Sequence, residues 1–136
     1  EYNLVSIKKL VMRKLAPNVY FGGDYNFAYL YNFQLNPEGQ LVREDITGNR
    51  GGRNSGLGLV FLIDTRDNVA NATKGQFLEA SSYFYGRYAG GQFQYTNLNV
   101  TYNRYWRLPW GKNHFLASNS ALNINFGNPP FVYLAQ

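Results

Sequence analysis

The chain reads as an all-β fold of about six antiparallel up-and-down strands. Three observations carry this: long stretches in which apolar and polar residues alternate, turn signals between them, and no helical pattern of useful length. Its 136 residues suit one unit spanning 1–136, with no repeat or linker composition that would split it. The absence of cysteine excludes a disulfide framework, a thiolate metal site and thiol catalysis. Aromatic residues make up 18% and charged residues 15%, the latter well below the about 25% of an average soluble domain, which argues against disorder. No apolar run approaches the roughly 18 residues of a spanning helix. A membrane barrel stays open, because alternating strands average out to ordinary hydropathy.

Leu4 to Leu15 is a first strand whose basic residues Lys8, Lys9, Arg13 and Lys14 fall on both faces, closed by the tight reversal Leu15-Ala16-Pro17-Asn18. The clearest alternation follows, from Asn18 to Phe33. One face carries Val19, Phe21, Gly23, Tyr25, Phe27, Tyr29, Tyr31 and Phe33; the other carries Tyr20, Gly22, Asp24, Asn26, Ala28, Leu30 and Asn32. After a long polar loop, Pro37 to Gly52, the split recurs with Leu57, Leu59, Phe61 and Ile63 opposite Gly56, Gly58, Val60 and Leu62. Asp64 to Gly75 is a medium connection, Gln76 to Tyr88 a strand with aromatics on both faces, and Arg87 to Gly91 a short loop. Then Leu98, Val100 and Tyr102 oppose Asn97, Asn99, Thr101 and Asn103. Beyond a tight turn at Pro109 to Lys112, Leu116, Leu122, Ile124 and Phe126 oppose Ala117, Asn119, Ala121, Asn123 and Asn125.

One side is greasy and the other rich in asparagine, and the alternation admits two solvents. A soluble β-sandwich or lipocalin-like barrel would turn the apolar faces inward and hold a small apolar ligand; a membrane barrel would turn them to lipid. Strands of 11 to 16 residues exceed the usual 5 to 6 and cover the about 9 to 11 that a tilted strand needs to cross hydrocarbon. Tyr20, Tyr31, Tyr83, Tyr85, Tyr105, Trp106 and Trp110 collect near strand ends, as in an aromatic girdle. The lipid-facing set is then Phe21, Tyr25, Phe27, Tyr29, Leu57, Leu59, Phe61, Leu98, Val100, Leu122 and Ile124. Six strands in lipid would leave open edges, so the chain is expected to be an incomplete segment of a larger barrel.

Gly56 to Leu59, an apolar strand, Asp64-Thr65-Arg66-Asp67-Asn68 and then Lys74-Gly75 before a new strand form a pattern. It resembles the bacterial surface-antigen family of BamA- and TamA-like outer-membrane assembly barrels, to which the two-partner secretion pores are related. The strand ending in Arg107-Leu108-Pro109 and the stretch Gly127-Asn128-Pro129-Pro130-Phe131 resemble the family's approach to its inward-folded loop. Ala72 stands where the family usually has proline. The resemblance implies a wall segment of an about 16-stranded barrel in a Gram-negative outer membrane, serving protein assembly, insertion or transport. Its implied partners are outer-membrane lipid, the remainder of its own barrel, client outer-membrane proteins and accessory lipoproteins. It also implies that Asp64 to Gly75, Leu15 to Asn18 and Leu108 to Asn113 face the periplasm, with Pro37 to Gly52 outside.

Little chemistry competes with this. Asp64, Thr65, Arg66, Asp67, Asn68 and Gly75 are expected to form a structural turn rather than a general acid/base site. His114 is the sole histidine, and Ser81, Ser82, Ser118 and Ser120 lack a nucleophile-elbow pattern. Neither catalysis nor a histidine metal cluster is expected, and no cofactor is. The glycine-rich Gly51 to Gly56 precedes a strand and lacks a Walker lysine. The net charge of +5, with Lys8, Lys9, Arg13 and Lys14 clustered, is read as lumen and headgroup charge rather than a nucleic-acid platform.

Overall fold

The computed structural model describes residues 3–31, 47, 51–110 and 114–133. Six strands form one antiparallel sheet in chain order: β1 (Asn3–Ala16), β2 (Val19–Tyr31), β3 (Gly52–Asp64), β4 (Gly75–Tyr85), β5 (Tyr95–Arg107) and β6 (Phe115–Gly127). Two short 3-10 turns, Arg87–Ala89 and Phe131–Tyr133, follow β4 and β6. Such a meander needs only local reversals. Pro17-Asn18 makes the tightest, with Asn18 at φ 63, a left-handed conformation that its short amide side chain tolerates.

β3 starts five residues earlier than the apolar alternation suggests. Gly52 to Gly56 continue the ladder opposite Leu30 to Asn26, and their small and polar side chains hide the period. β4 ends at Tyr85, where Gly86 and the left-handed Gly90 at φ 89 turn the chain. Most of the Pro37 to Gly52 loop, Phe33, and Gly111 to Asn113 of the last turn lie outside the described residues.

Register sorts the side chains into two faces. Phe21↔Phe61, Tyr25↔Leu57, Leu57↔Phe84, Leu98↔Ile124 and Val100↔Leu122 place the greasy residues together on one face. That face is uncovered: Leu57, Leu59 and Leu122 are 50, 51 and 51% exposed. The opposite, concave face buries Asp24 at 3%, Asn54 at 1% and Ser81 at 4% exposed; on the apolar face Ser55 is also buried, its hydroxyl donating to the Ala89 carbonyl.

Four tyrosines expected in a girdle belong to this concave face. Tyr20 pairs with Leu62 and Tyr105 with Gly75, while Tyr83 and Tyr85 lie opposite Gly58 and Gly56 and are buried. The reason is space. A Cβ on Gly58 would sit 2.5 Å from the Tyr83 ring, and one on Gly56 would strike the Phe84 carbonyl oxygen, so bare backbone in β3 is what the rings lie on. Tyr31, Trp106 and Trp110 are exposed, the first two on the apolar face and Trp110 in the last turn.

Gly56→Ala is therefore expected to force β3 and β4 apart and lower the unfolding free energy by about 1–3 kcal/mol. A urea titration of the protein in detergent or lipid reads this as an earlier midpoint.

Candidate functional site: the concave polar face and the Asp64–Gly75 turn

Alternation turns every second residue to the concave side, and the polar ones among them gather in its hollow. Lys8 of β1, Asn26 of β2, Glu79 and Ser81 of β4, Asn97 and Asn99 of β5 and Asn123 and Asn125 of β6 line one hollow of about 320 Å³. Asp24 anchors its first part. Its Oδ2 accepts a hydrogen bond from the Tyr83 hydroxyl at 2.9 Å and pairs with the Lys8 ammonium at 3.3 Å, while Lys8 lies 5.4 Å over the Tyr83 ring. Three strands, β1, β2 and β4, are thereby tied through one buried carboxylate.

The second part is aromatic. Tyr85 and Tyr95 stack at 4.5 Å between centroids, and Tyr83 and Tyr85 at 6.2 Å. Their hydroxyls are met by amides: Asn54 donates to Tyr95 at 2.7 Å and Asn26 to Tyr85 at 3.4 Å. Tyr133, from the turn after β6, enters the same hollow. Across β5 and β6 the asparagines bond one another. Asn97 donates to Asn123 and Asn125, each at 2.8 Å, Asn99 to Asn97, and Asn119 to Asn103.

The Asp64–Gly75 turn uses its two acids for different tasks. Asp64 takes Arg66 in a fork, Nε to Oδ1 at 2.9 Å and Nη2 to Oδ2 at 2.7 Å, and the guanidinium lies 4.6 Å over Phe77. Asp67 instead gathers the returning chain. It accepts the Thr73 hydroxyl at 2.7 Å, the Thr73 N–H at 2.9 Å and the Lys74 N–H at 3.2 Å. These donors, the Thr73 hydroxyl foremost, hold its carboxyl far below the ordinary 3.8. Thr65 closes the base through Gln76, and Asn68 accepts the Ala70 and Asn71 N–H groups. Ala72, where the resemblance led one to look for proline, is buried in the turn. Gly75 takes φ 103 with the Thr65 carbonyl against it, so a side chain there would clash.

The turn also joins its neighbours. The Asp64 N–H donates to Asn18 O of the β1–β2 reversal, and Arg107 of β5 donates to the Thr73 hydroxyl at 2.7 Å.

The Omp85 superfamily domain matches residues 13–131, from β1 to the turn after β6. The chain belongs to the Omp85 superfamily. No curated protein and no solved structure matches it. Omp85 proteins are outer-membrane β-barrel proteins of an assembly and translocation family, which agrees with the resemblance read from the Asp64 turn and with the up-and-down sheet.

Within this Omp85 segment, Phe21, Tyr25, Phe27, Tyr29, Leu57, Leu59, Phe61, Leu98, Val100, Leu122 and Ile124 all fall on the convex side. The concave network was less visible beforehand. Asp24 and Asn26 stand out as polar, but their partners Lys8, Tyr83 and Tyr85 belong to strands with mixed patterns, and Asn54 lies in the glycine-rich Gly51 to Gly56 stretch, which has no apolar alternation of its own. His114 is exposed at the rim, its carbonyl accepting the Leu108 N–H at 2.9 Å. Ser81 faces the hollow, whereas Ser82, Ser118 and Ser120 share the convex face.

Two outcomes are expected. Asp24→Ala strands the Tyr83 hydroxyl and the Lys8 ammonium and should cost about 1–3 kcal/mol of unfolding free energy. Because the Asp67 pKa is depressed on folding, its contribution is complete above the ordinary carboxyl value and is lost as pH falls toward the folded one. Asp67→Ala should therefore speed hydrogen exchange at the Thr73 and Lys74 amides at neutral pH. In the unaltered protein, acidification toward the folded value should lower the protection factors of the same two amides, read after the intrinsic slowing of exchange at low pH is divided out.

Proposed function

We propose that this chain is a stretch of barrel wall in a Gram-negative outer-membrane protein that assembles, inserts or translocates other outer-membrane proteins, and that its part is structural, not enzymatic. One observation supports this above all: a single-layer sheet buries a carboxylate and an amide, Asp24 and Asn54, on its concave side and leaves leucine, phenylalanine and tyrosine uncovered on its convex side. A soluble domain arranges those residues in the opposite sense. In a lipid bilayer the convex set, Phe21 to Ile124, faces acyl chains, and the asparagine-rich side faces an aqueous interior.

The soluble sandwich or ligand-binding barrel is less well supported. It needs a second layer on the apolar face, and among the described residues all six strands belong to one sheet. The work of the wall is then to hold shape while lipid, the rest of the barrel, accessory lipoproteins and client proteins meet it. Nucleic acid has no place in this reading.

The lack of cysteine makes the test direct. Single substitutions Leu59→Cys and Val100→Cys on the convex side, and Ser81→Cys and Asn97→Cys on the concave side, are labelled in outer membranes. Convex positions should react with a lipid-soluble maleimide and resist a charged one; concave positions should react with the charged reagent. The reverse pattern would reject the membrane-wall reading.

A further inference from the structure

The convex face carries four charged residues among the described strand positions, Lys9, Arg13, Arg53 and Arg104, and all are cations. Arg104 is the most elaborately placed. Register aligns Gln76 of β4, Arg104 of β5 and Ser118 of β6 in one row, with Leu78, Tyr102 and Ser120 in the next row and Trp106 with Leu116 on the side toward the rim. A polar row thus crosses a largely greasy surface.

Within it, Arg104 Nη1 donates to Gln76 Oε1 at 2.6 Å, the Tyr102 hydroxyl donates to the same oxygen at 3.2 Å, and the guanidinium lies 5.7 Å from the Trp106 ring. These contacts orient the guanidinium without neutralising it: among the described residues its side chain has no carboxylate partner. A guanidinium offers five donors in a planar fork suited to phosphate oxygens.

Depth fits the same ligand. Arg104 stands three residues from the end of β5, roughly 10 Å along the strand at about 3.3 Å per residue, and tilt shortens that further. An indole and a phenol flank it, the side chains that favour the headgroup layer. The nearby rim adds Lys74 and Arg107, while the charge of Arg66 is taken up by Asp64. An uncompensated cation on a lipid-facing surface is costly unless an anion meets it.

Resting on the lipid-facing reading of the convex side, we infer that the Gln76–Arg104–Ser118 row, flanked by Tyr102 and Trp106, is a binding site for the phosphate of an anionic glycerophospholipid. The guanidinium fork takes the phosphate oxygens, Ser118 and the Gln76 amide stand beside it as further donors, and Trp106 packs on the glycerol region. The row belongs to the rim of the Pro17-Asn18 reversal, opposite the rim of the Arg87–Ala89 turn. Short reversals mark the periplasmic side of such barrels, where the leaflet is phospholipid.

The test uses the purified full-length protein in phosphatidylcholine vesicles, with a fluorophore on Leu116→Cys and brominated lipids as quenchers. Brominated phosphatidylglycerol should quench more strongly than brominated phosphatidylcholine at equal content. Arg104→Gln should reduce that preference about tenfold, toward equality, and Arg104→Lys should retain part of it. An undiminished preference in Arg104→Gln, with quenching by brominated phosphatidylcholine intact, would overturn the site while leaving the lipid-facing wall standing. Absence of quenching by either lipid would overturn both. Displacement of brominated phosphatidylglycerol by lipopolysaccharide more readily than by unlabelled phosphatidylglycerol would assign the row to lipid A and overturn the phospholipid assignment.

Discussion

A pleated strand presents its two faces at alternate residues, and a one-layer sheet has no second layer behind which to hide either. Every other feature of this wall follows from that constraint. Between the outer edges of β1 and β6, backbone groups are satisfied by neighbouring strands regardless of surroundings, so there the choice of solvent falls on side chains. Asp24 is sequestered while Leu59 lies open, an inversion that water would penalise on both counts. In the proposed barrel, acyl chains outside and an aqueous, side-chain-filled interior would remove both penalties at once.

A polar interior still has to pack. Here β3 contributes almost no side-chain volume at Gly56 and Gly58, and β4 and β5 fill the room with Tyr83, Tyr85 and Tyr95. Tyrosine suits the task because its ring supplies area and its hydroxyl a polar tip. Each of the three hydroxyls finds Asp24, Asn26 or Asn54, side chains of β2 and β3. The stack therefore ties four consecutive strands by side chains as well as by the backbone ladder. Lys8 extends the tie to β1, where no aromatic residue is available.

The amino-acid pattern revealed the strand count, the order and the greasy face, because each depends on local alternation that a two-residue period exposes directly. β2 is the clearest case, with aromatic and polar residues separated over its whole length. Alternation fails where a residue is chosen for what lies opposite it on another strand. Tyr83 and Tyr85 resemble girdle residues until Gly58 and Gly56 are seen across from them. Asn54, in a glycine-rich stretch, resembles loop until its amide meets Tyr95, 41 positions away. The Asp64 turn was legible as a unit, but its division of labour was not. Two acids beside one arginine suggest a shared ion pair, and only the path of the returning chain shows that Asp67 meets Thr73 and Lys74 instead.

Charge is sorted by the same constraint. Among the described strand residues Asp24, Asp64 and Glu79 all face the concave side, while the convex side has only lysine and arginine. Sign alone would not demand this; stem length does. A carboxylate one or two methylenes from the backbone cannot leave the depth of its own Cα, whereas lysine and arginine can lay an aliphatic stem on the wall and carry the charge toward the headgroups. Arg13 and Arg104 stand near one rim and Arg53 near the other, positions from which that reach is short. Lys9 lies farther in, paired with Tyr25 in the ladder. The acids are kept where partners are fixed: Asp24 under Tyr83 and Lys8, Asp64 in the grip of Arg66. On the proposed lipid-facing reading, the wall places its anions where protein groups answer them and its outward cations where lipid must.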